Sequence, residues 1–135
     1  MASSQPARAR TARGDRRRGR LSRSSEFERV YRQGRSQGNR HLVLYTFPRS
    51  DAESVRFGLS VSRRVGGAVE RNRVKRLLRE AFAARRPAIP ASHDFVIVAR
   101  PAVRELAVRE GLAGVRAALD DLLEQAGVLE PEASA

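Results

Sequence analysis

Residues 69–85 read VERNRVKRLLREAFAAR, and residues 95–99 read FVIVA. In the first stretch the apolar residues follow an i, i+3, i+4, i+7, i+8 pattern, which is typical of an amphipathic helix. Pro87 and Pro90 follow this helix and end it. The second stretch is a continuous apolar run of strand length, as expected of a central strand covered on both faces. Together the two stretches predict a helix packed on a sheet, with the apolar stripe formed by Val74, Leu77, Leu78, Ala81 and Phe82.

The segment before these elements predicts a short first helix. Ser25 and Glu28 have the spacing of a capping box, with Ser25 as the N-cap, and Gly34 stands where the helix would end. The predicted helix covers about residues 26–33. Phe27 and Tyr31 are four residues apart and therefore share one face of it.

Two strands and a final helix complete the pattern. Residues 41–47 predict a strand ended by Pro48, and residues 56–62 alternate as a second strand. Their short polar connection predicts that the two form a hairpin. The order of helix, strands, helix, strand and helix predicts an α+β two-layer sandwich, whose last helix is marked by Leu106, Leu112, Val115, Leu119 and Leu122.

The overall charge predicts a polyanionic partner. The 135 residues contain 27 Lys and Arg against 15 Asp and Glu, so the formal net charge is +12. Lys75 is the only lysine. Arginine binds phosphate bidentately and stacks on bases, which favours RNA, although a high genomic GC content would enrich arginine as well. The chain has no cysteine and no apolar run of about 18 residues, so we expect a cytoplasmic protein without disulfides or membrane spans.

The charge is distributed unevenly along the chain. Residues 1–20 contain seven Arg and one Asp, a net charge of +6, with almost no bulky apolar side chain. We therefore predict a disordered basic arm over 1–20. A single RNA-binding domain over 21–125 and a flexible tail over 126–135 complete the predicted organisation.

The start of the helix at 69–85 carries the sharpest functional pattern. Asn72, Lys75, Arg76 and Arg79 fall opposite the apolar stripe. Arg71 and Arg73 occupy the first turn, where the helix macrodipole disfavours each cation by a few tenths to about 1 kcal/mol. Phosphate oxygens at this position would remove the conflict, so the pattern predicts an RNA-binding helix start. The alternative is a solvated helix face.

A second candidate site lies on the strand at 56–62. Gly58, Ser60 and Ser62 alternate with apolar residues, so one sheet face consists of small side chains bordered by Arg56 and Arg64. Aromatic side chains beside such a face would stack on single-stranded RNA, at about 1 to 3 kcal/mol per base. The candidates are Phe27, Tyr31 and Tyr45. Phe27 is equally consistent with a plain core position.

No pattern in the chain predicts a self-sufficient catalytic centre. A protein ribonuclease needs a paired acid and base or clustered carboxylates for metal ions. His41 and His93 belong to different segments, and the acidic residues of the final helix are interpreted as solvated.

From about Leu21 to Leu119, the chain resembles the protein subunit of bacterial ribonuclease P. The resemblance includes Glu-Phe-Glu-Arg-Val-Tyr at 26–31, Asn39-Arg40, and the segment 56–64. Its most specific part is the segment 68–79, which matches the family's Arg-Asn-Arg signature at Arg71, Asn72 and Arg73.

This resemblance implies a fold and an activity. The implied element order is α-β-β-β-α-β-α, with a four-stranded mixed sheet, as in ribosomal-protein-like folds, and a left-handed β-α-β crossover, against the usual right-handed rule. The implied partners are a catalytic RNA and precursor tRNA. The RNA cuts the 5′ leader, and the protein binds the leader and raises the affinity for substrate and metal. Mg²⁺ would be held mainly by the RNA, and the protein itself would contain no catalytic residue, metal site or small-molecule cofactor.

The resemblance also implies two sets of binding residues. The catalytic RNA would contact Arg71, Asn72, Arg73, Lys75, Arg76 and Arg79. The leader groove would be formed by Phe27, Tyr31, Tyr45, Ser60, Ser62, Arg63 and Arg64. The chain departs from the family in its long arginine-rich arm and in Tyr31, where Phe is common. Two alternatives of other classes are an rRNA-binding ribosomal or assembly protein and a stand-alone nuclease.

Overall fold

A computed structural model describes residues 21, 24–48, 55–89 and 93–129. Within these ranges the helices are α1 (Ser24–Gln33), α2 (Ala68–Arg85) and α3 (Val103–Ala126), with a short 3-10 turn at Arg86–Ala88. The strands are β1 (Arg35–Gly38), β2 (Leu42–Pro48), β3 (Arg56–Ser60) and β4 (His93–Ala99). This element order confirms the predicted α+β fold with its four-stranded mixed sheet.

Strand β4 occupies the interior of the sheet, whose order is β1-β2-β4-β3. It pairs antiparallel with β2, with Val43 opposite Val98, and parallel with β3, with Ser60 opposite Val98. The predicted hairpin between the strands at 41–47 and 56–62 is therefore wrong, because β4 is inserted between them. The connection through α2 joins the parallel neighbours β3 and β4, and its left hand stays a prediction.

The two faces of the sheet carry separate clusters of apolar side chains. Phe95 and Ile97 of β4 face a large core shared with α2 and α3, where Phe82 stacks on Phe57 at 4.3 Å between ring centroids. This core is the predicted sandwich of helices on a sheet. Val96, on the other face, packs with Val30 of α1 and with Leu21. The short helix α1 therefore lies opposite the two long ones.

Several element boundaries differ from the predictions. The strand β1 carries no apolar residue and has no strand pattern; it is held by antiparallel pairing with β2. Helix α1 begins at Ser24, so Ser25 is not its N-cap, and Glu28 forms a 3.7 Å ion pair with Arg32. Strand β3 ends at Ser60, two residues earlier than predicted.

The predicted basic arm at 1–20 and residues 130–135 of the predicted tail lie outside the described residues. At the start of the predicted tail, α3 ends at Ala126, Gly127 adopts φ 70°, and Val128 is buried against the core. In the described part of the chain, no helix has the length and apolarity needed to cross a bilayer.

The turn between β1 and β2 is fastened to α3 by Asn39. Its side-chain oxygen accepts hydrogen bonds from the backbone N–H groups of His41 and Leu42, at 3.0 and 2.9 Å. Its amide nitrogen donates to the carbonyl of Ala118 at 3.0 Å and to the carboxylate of Asp121 at 3.1 Å. One partly buried side chain therefore closes the turn and ties it to the last helix.

Helix α1 approaches the sheet closely at Gly58. A Cβ atom at this position would lie 2.8 Å from Cε2 of the Phe27 ring. Only the absence of a side chain at Gly58 lets the ring of Phe27 rest on the strand. By contrast, a Cβ at Gly38 on β1 would meet its nearest neighbours at ordinary distances of 3.7 to 3.9 Å.

We expect Asn39→Ala to lower the free energy of unfolding by about 2 to 3 kcal/mol, because it leaves the backbone N–H donors of His41 and Leu42 without their partner. The neighbouring Arg40→Ala should change it by less than about 0.5 kcal/mol, since Arg40 is exposed. Urea denaturation followed by circular dichroism measures both. Equal losses of unfolding free energy in the two variants would contradict the role of the Asn39 hydrogen bonds in holding the turn to α3.

We expect Gly58→Ala to destabilise the fold by about 1 to 3 kcal/mol, because the added methyl displaces Phe27. Gly38→Ala is the matched control and should be neutral or slightly stabilising. Adding Phe27→Leu to Gly58→Ala should restore part of the lost stability. If the losses of the two single variants simply add in the double variant, the two residues do not compete for the same space.

Candidate nucleic-acid interface

The aromatic residues predicted for the groove are brought together on the α1 face of the sheet. Tyr31 of α1 meets Tyr45 of β2 edge to face at 4.9 Å between ring centroids, and Phe27 lies 6.5 Å from Tyr31. Tyr31 is 38% exposed. The hydroxyl of Ser60 forms a hydrogen bond with that of Tyr31, and burial nevertheless raises the pKa of Tyr31 above its usual value. The ring therefore stays neutral at physiological pH.

Phe27 has a packing role, and its role in the groove stays a prediction. It is half-buried, packs against the cluster of Val30 and Val96, and also stands at the start of the aromatic series. Its contact with Gly58 fixes the position of α1 on the sheet. Tyr31, one turn further along α1, presents the more accessible ring.

A row of side chains beyond these rings forms a partly exposed floor. In register across the sheet stand Gly38 of β1, Val43 of β2, Val98 of β4 and Ser60 of β3. Val43, Val98 and Ser60 are all only partly buried. We call these four residues the groove row. Val43 and Val98 were missed by the sequence analysis, although their alternation with Tyr45 and Val96 places them on this face.

Arginines stand at both ends of the groove row. The guanidinium of Arg100 lies beside Gly38, with Nη1 3.8 Å from the position of a Cβ there. Arg63 and Arg64, at the opposite end, are exposed in the turn that follows β3. Ser62 belongs to this turn and not to the sheet face, and its hydroxyl accepts a 3.3 Å hydrogen bond from the Arg64 N–H. Arg100 was not predicted, yet it continues the alternation of Val96 and Val98.

Arg56 does not form the basic border that the sequence suggested. Its guanidinium donates from Nε and Nη2 to the fully buried carboxylate of Asp94, at 3.0 and 2.9 Å, and from Nη1 to Glu26 at 3.1 Å. Asp94 raises the pKa of Arg56 further. This arginine joins α1, β3 and β4 and has a structural role.

The start of α2 is capped by its own glutamate. The backbone N–H of Gly67 donates to the Glu70 carboxylate at 2.9 Å. The preceding Gly66 has φ 155°, and a Cβ there would meet Cβ of Glu70 at 2.9 Å, which accounts for the glycine at position 66. Glu70 therefore caps the helix start.

The predicted cationic face of α2 is present. Asn72, Arg73, Arg76 and Arg79 are exposed, whereas Arg71 and Lys75 are half-buried on the flank of the helix. The opposite side of α2 is buried among the residues of the large core. Because that core and the groove row lie on opposite faces of the sheet, the protein carries two separate arginine-rich surfaces.

The described residues do not assemble a metal site. Within 21, 24–48, 55–89 and 93–129, no three His, Asp or Glu side chains are close enough to share an ion. Nor do the two histidines meet: His93 pairs with Pro48 at one end of β4, while the N–H of Arg100, at the other end, donates to the His41 carbonyl. Seven residues of extended chain separate these ends by roughly 23 Å.

Comparison with known proteins agrees with this architecture. The profile of the family described as Ribonuclease P matches residues 16–126. A ribonuclease P protein component of Shouchella clausii is 41% identical over 112 residues, which cover 83% of this chain and 88% of that protein.

Solved structures lead to the same family. The Staphylococcus aureus RNase P protein superimposes with a TM-score of 0.75 at 31% identity, over 83% of this chain and 98% of that one. A mutant of the S. aureus protein, described as defective in mRNA degradation activity, also gives a TM-score of 0.75, at 32% identity over 82% and 90% of the two chains. The fold, the signature at Arg71–Arg73 and these relatives agree. The chain therefore belongs to the ribonuclease P protein family.

Proposed function

We propose that this protein works in the cytoplasm as the RNA-binding subunit of ribonuclease P, assisting a catalytic RNA in removing the 5′ leader from precursor tRNA. The observation that carries the proposal is the placement of two arginine-rich surfaces on opposite sides of one sheet. A protein with two such surfaces can contact two RNA segments at once. It lowers the phosphate repulsion between them by placing cations on both sides.

The leader is assigned to the groove row and its aromatic neighbours. Single-stranded RNA is bound by aromatic rings on which bases stack and by cations that follow the backbone. Tyr31 supplies exposed ring surface and Tyr45 a partly buried ring beside it, and Arg100, Arg63 and Arg64 supply the cations at the two ends. The apolar floor of Val43 and Val98 makes no base-specific hydrogen bond. We therefore expect binding that tolerates many leader sequences.

The catalytic RNA is assigned to the cationic face of α2. Arg73 and Arg76 are exposed on that face, and Arg71 lies beside them at the helix start. Guanidinium groups at a helix N-terminus can bind phosphate together with free backbone N–H groups. Mg²⁺ ions that serve the reaction would be held mainly by RNA phosphates, since the described side chains offer no cluster of metal ligands.

The competing proposals differ in what they require of the protein. A ribosomal or assembly protein would bind structured rRNA and would not distinguish precursor from mature tRNA. A stand-alone nuclease would need its own acid and base, and His41 and His93 stand at opposite ends of the sheet. The mRNA degradation activity mentioned for the S. aureus protein makes the second alternative worth testing directly.

For the groove, we expect Tyr45→Ala to reduce the preference of the reconstituted ribonucleoprotein for precursor over mature tRNA by about tenfold, the loss of one stacked base. Tyr45→Phe keeps the ring and should retain the preference. Equilibrium binding of both tRNAs to each variant measures the ratio. An unchanged ratio for Tyr45→Ala would refute the groove assignment.

For the cationic face of α2, we expect the double variant Arg73→Ala and Arg76→Ala to lower the salt dependence of binding to the catalytic RNA by about two units of logarithmic slope. The matched control is the double variant Arg109→Ala and Arg116→Ala, which removes the same charge from exposed positions on α3. Filter binding over a range of salt concentrations gives the slopes. If both double variants lower the slope equally, net charge and not this face is responsible.

For the protein alone, we expect no cleavage of precursor tRNA or mRNA by highly purified material without an RNA subunit. Cleavage that co-purifies with the protein through several columns, and that disappears in a His41→Ala or His93→Ala variant, would establish the stand-alone nuclease instead.

A further inference from the structure

Helices α2 and α3 begin at the same end of the sheet. Strands β3 and β4 run parallel, with Ser60 opposite Val98 near their carboxyl ends. From β3 the chain passes through residues 61–67 into α2, and from β4 it passes through residues 100–102 into α3. The first turns of the two long helices therefore lie together at one end of the sandwich.

Arg104, in the first turn of α3, contacts the turn that precedes α2. Its Cδ atom lies 3.4 Å from the position that a Cβ would take at Gly66. The same position is 2.9 Å from Cβ of Glu70, so the stem of Arg104 rests beside the first turn of α2. Arg73 follows Glu70 by three residues and lies on the same side of that helix. Arg104 therefore stands on the side of α2 that carries Arg73.

The backbone around Arg104 is ordered, and its side chain is exposed. The N–H of Val103 donates to the Arg100 carbonyl at 2.9 Å, and the N–H of Arg104 donates to the Pro101 carbonyl at 3.2 Å. In the part of the chain that the structure describes, no carboxylate forms an ion pair with the Arg104 guanidinium. The stem is packed, and the charged group is available to a ligand.

Two glutamates stand near Arg104, and both have other contacts. The Glu70 carboxylate accepts the 2.9 Å hydrogen bond from the backbone N–H of Gly67. Glu105 lines a cavity beside His41, which Arg104 does not line. Guanidinium groups that exceed the available carboxylates favour phosphate as their partner.

The start of α3 has the same electrostatic conflict as the start of α2. Ala102 occupies the N-cap position and offers no capping side chain. Arg104 adds a cation to the positive end of the helix macrodipole, which Glu105 offsets only in part. A phosphate at this end of the sandwich would reduce the conflict in both helices.

We propose that the surface that binds the catalytic RNA is built from two helices, and that Arg104 of α3 binds an RNA phosphate next to the one bound by Arg73 of α2. This inference rests on the proposed function, because it requires the catalytic RNA to lie against α2. It also gives Gly66 a second role, since the absence of a side chain there lets the stem of Arg104 approach α2.

The test uses the full chain and the ribonuclease P RNA of the same organism. Arg104→Gln removes the charge but keeps much of the stem that packs on Gly66, so the thermal unfolding of this variant should match that of the parent. The matched control is Arg116→Gln, which removes the same charge from an exposed position further along α3. Arg104→Lys keeps the charge. The double variant Arg73→Ala and Arg76→Ala reports on α2 alone.

Filter binding over a range of salt concentrations gives the affinity and the salt slope of each variant. We expect Arg104→Gln to reduce the affinity for the RNA by about tenfold and the slope by about one unit, as for the loss of one phosphate contact. Arg104→Lys should retain the slope. Adding Arg104→Gln to the double variant should lower the slope by about one further unit, whereas Arg116→Gln alone should change it by much less.

Three results would overturn the inference. Equal losses for Arg104→Gln and Arg116→Gln would mean that only net charge matters. Unchanged binding of the catalytic RNA by Arg104→Gln, with weaker binding of precursor tRNA by the assembled ribonucleoprotein, would place Arg104 against the substrate instead. In both cases a lower slope for the double variant would leave the assignment of α2 standing. A double variant that binds like the parent would refute that assignment and this inference with it.

Discussion

The backbone of β4 forms hydrogen bonds with an antiparallel strand on one side and a parallel strand on the other, and its side chains are buried on both faces. Phe95, Val96 and Ile97 are each fully buried, alternating between the two apolar clusters. This strand therefore has to be covered by helices from both sides. Among the described residues, the two long helices cover one face, and α1 together with Leu21 covers the other.

The size of α1 explains why a groove exists. Its ten residues form a cylinder about 15 Å long, whereas the sheet it covers is roughly 14 Å wide and its longest strands extend for about 23 Å. A single short helix cannot cover that area. The contact of Phe27 with Gly58 fixes where the helix lies, so the uncovered part falls on Val43, Val98 and Ser60.

The sequence predicted the elements better than their arrangement. The stripe from Val74 to Phe82 and the apolar run at 95–99 define α2 and β4, because burial on one side or on both leaves a direct pattern in the residues. Strand order leaves no such pattern. The hairpin prediction failed because β2 pairs with β4, which follows it nearly fifty residues later in the chain. The prediction had paired β2 with β3 because these two strands are adjacent in sequence. Strand β1 was not predicted because its residues have no strand pattern. It is extended only because it pairs with β2.

The candidate site shows the same division between local and distant causes. The exposed face of α2 follows from helical periodicity and was predicted. Tyr31 and Tyr45 were named as groove candidates, but their contact depends on where α1 packs on the sheet. The engagement of Arg56 could not be foreseen, since Asp94 lies 38 residues away and its burial depends on the completed sheet. Arg100 could have been found by continuing the alternation of β4 one step beyond the strand.

Packing alone is sufficient to form the cationic face of α2. Arg71 and Arg73 cost the helix start a few tenths to about 1 kcal/mol each, because they oppose its macrodipole. The burial of Val74, Leu78 and Phe82 stabilises the same helix by about 1.5 to 3 kcal/mol for each side chain. The helix therefore forms on packing alone. The backbone of the first turn is therefore ordered without a ligand, and the proposed contact with RNA phosphates would not have to supply the cost of ordering this segment.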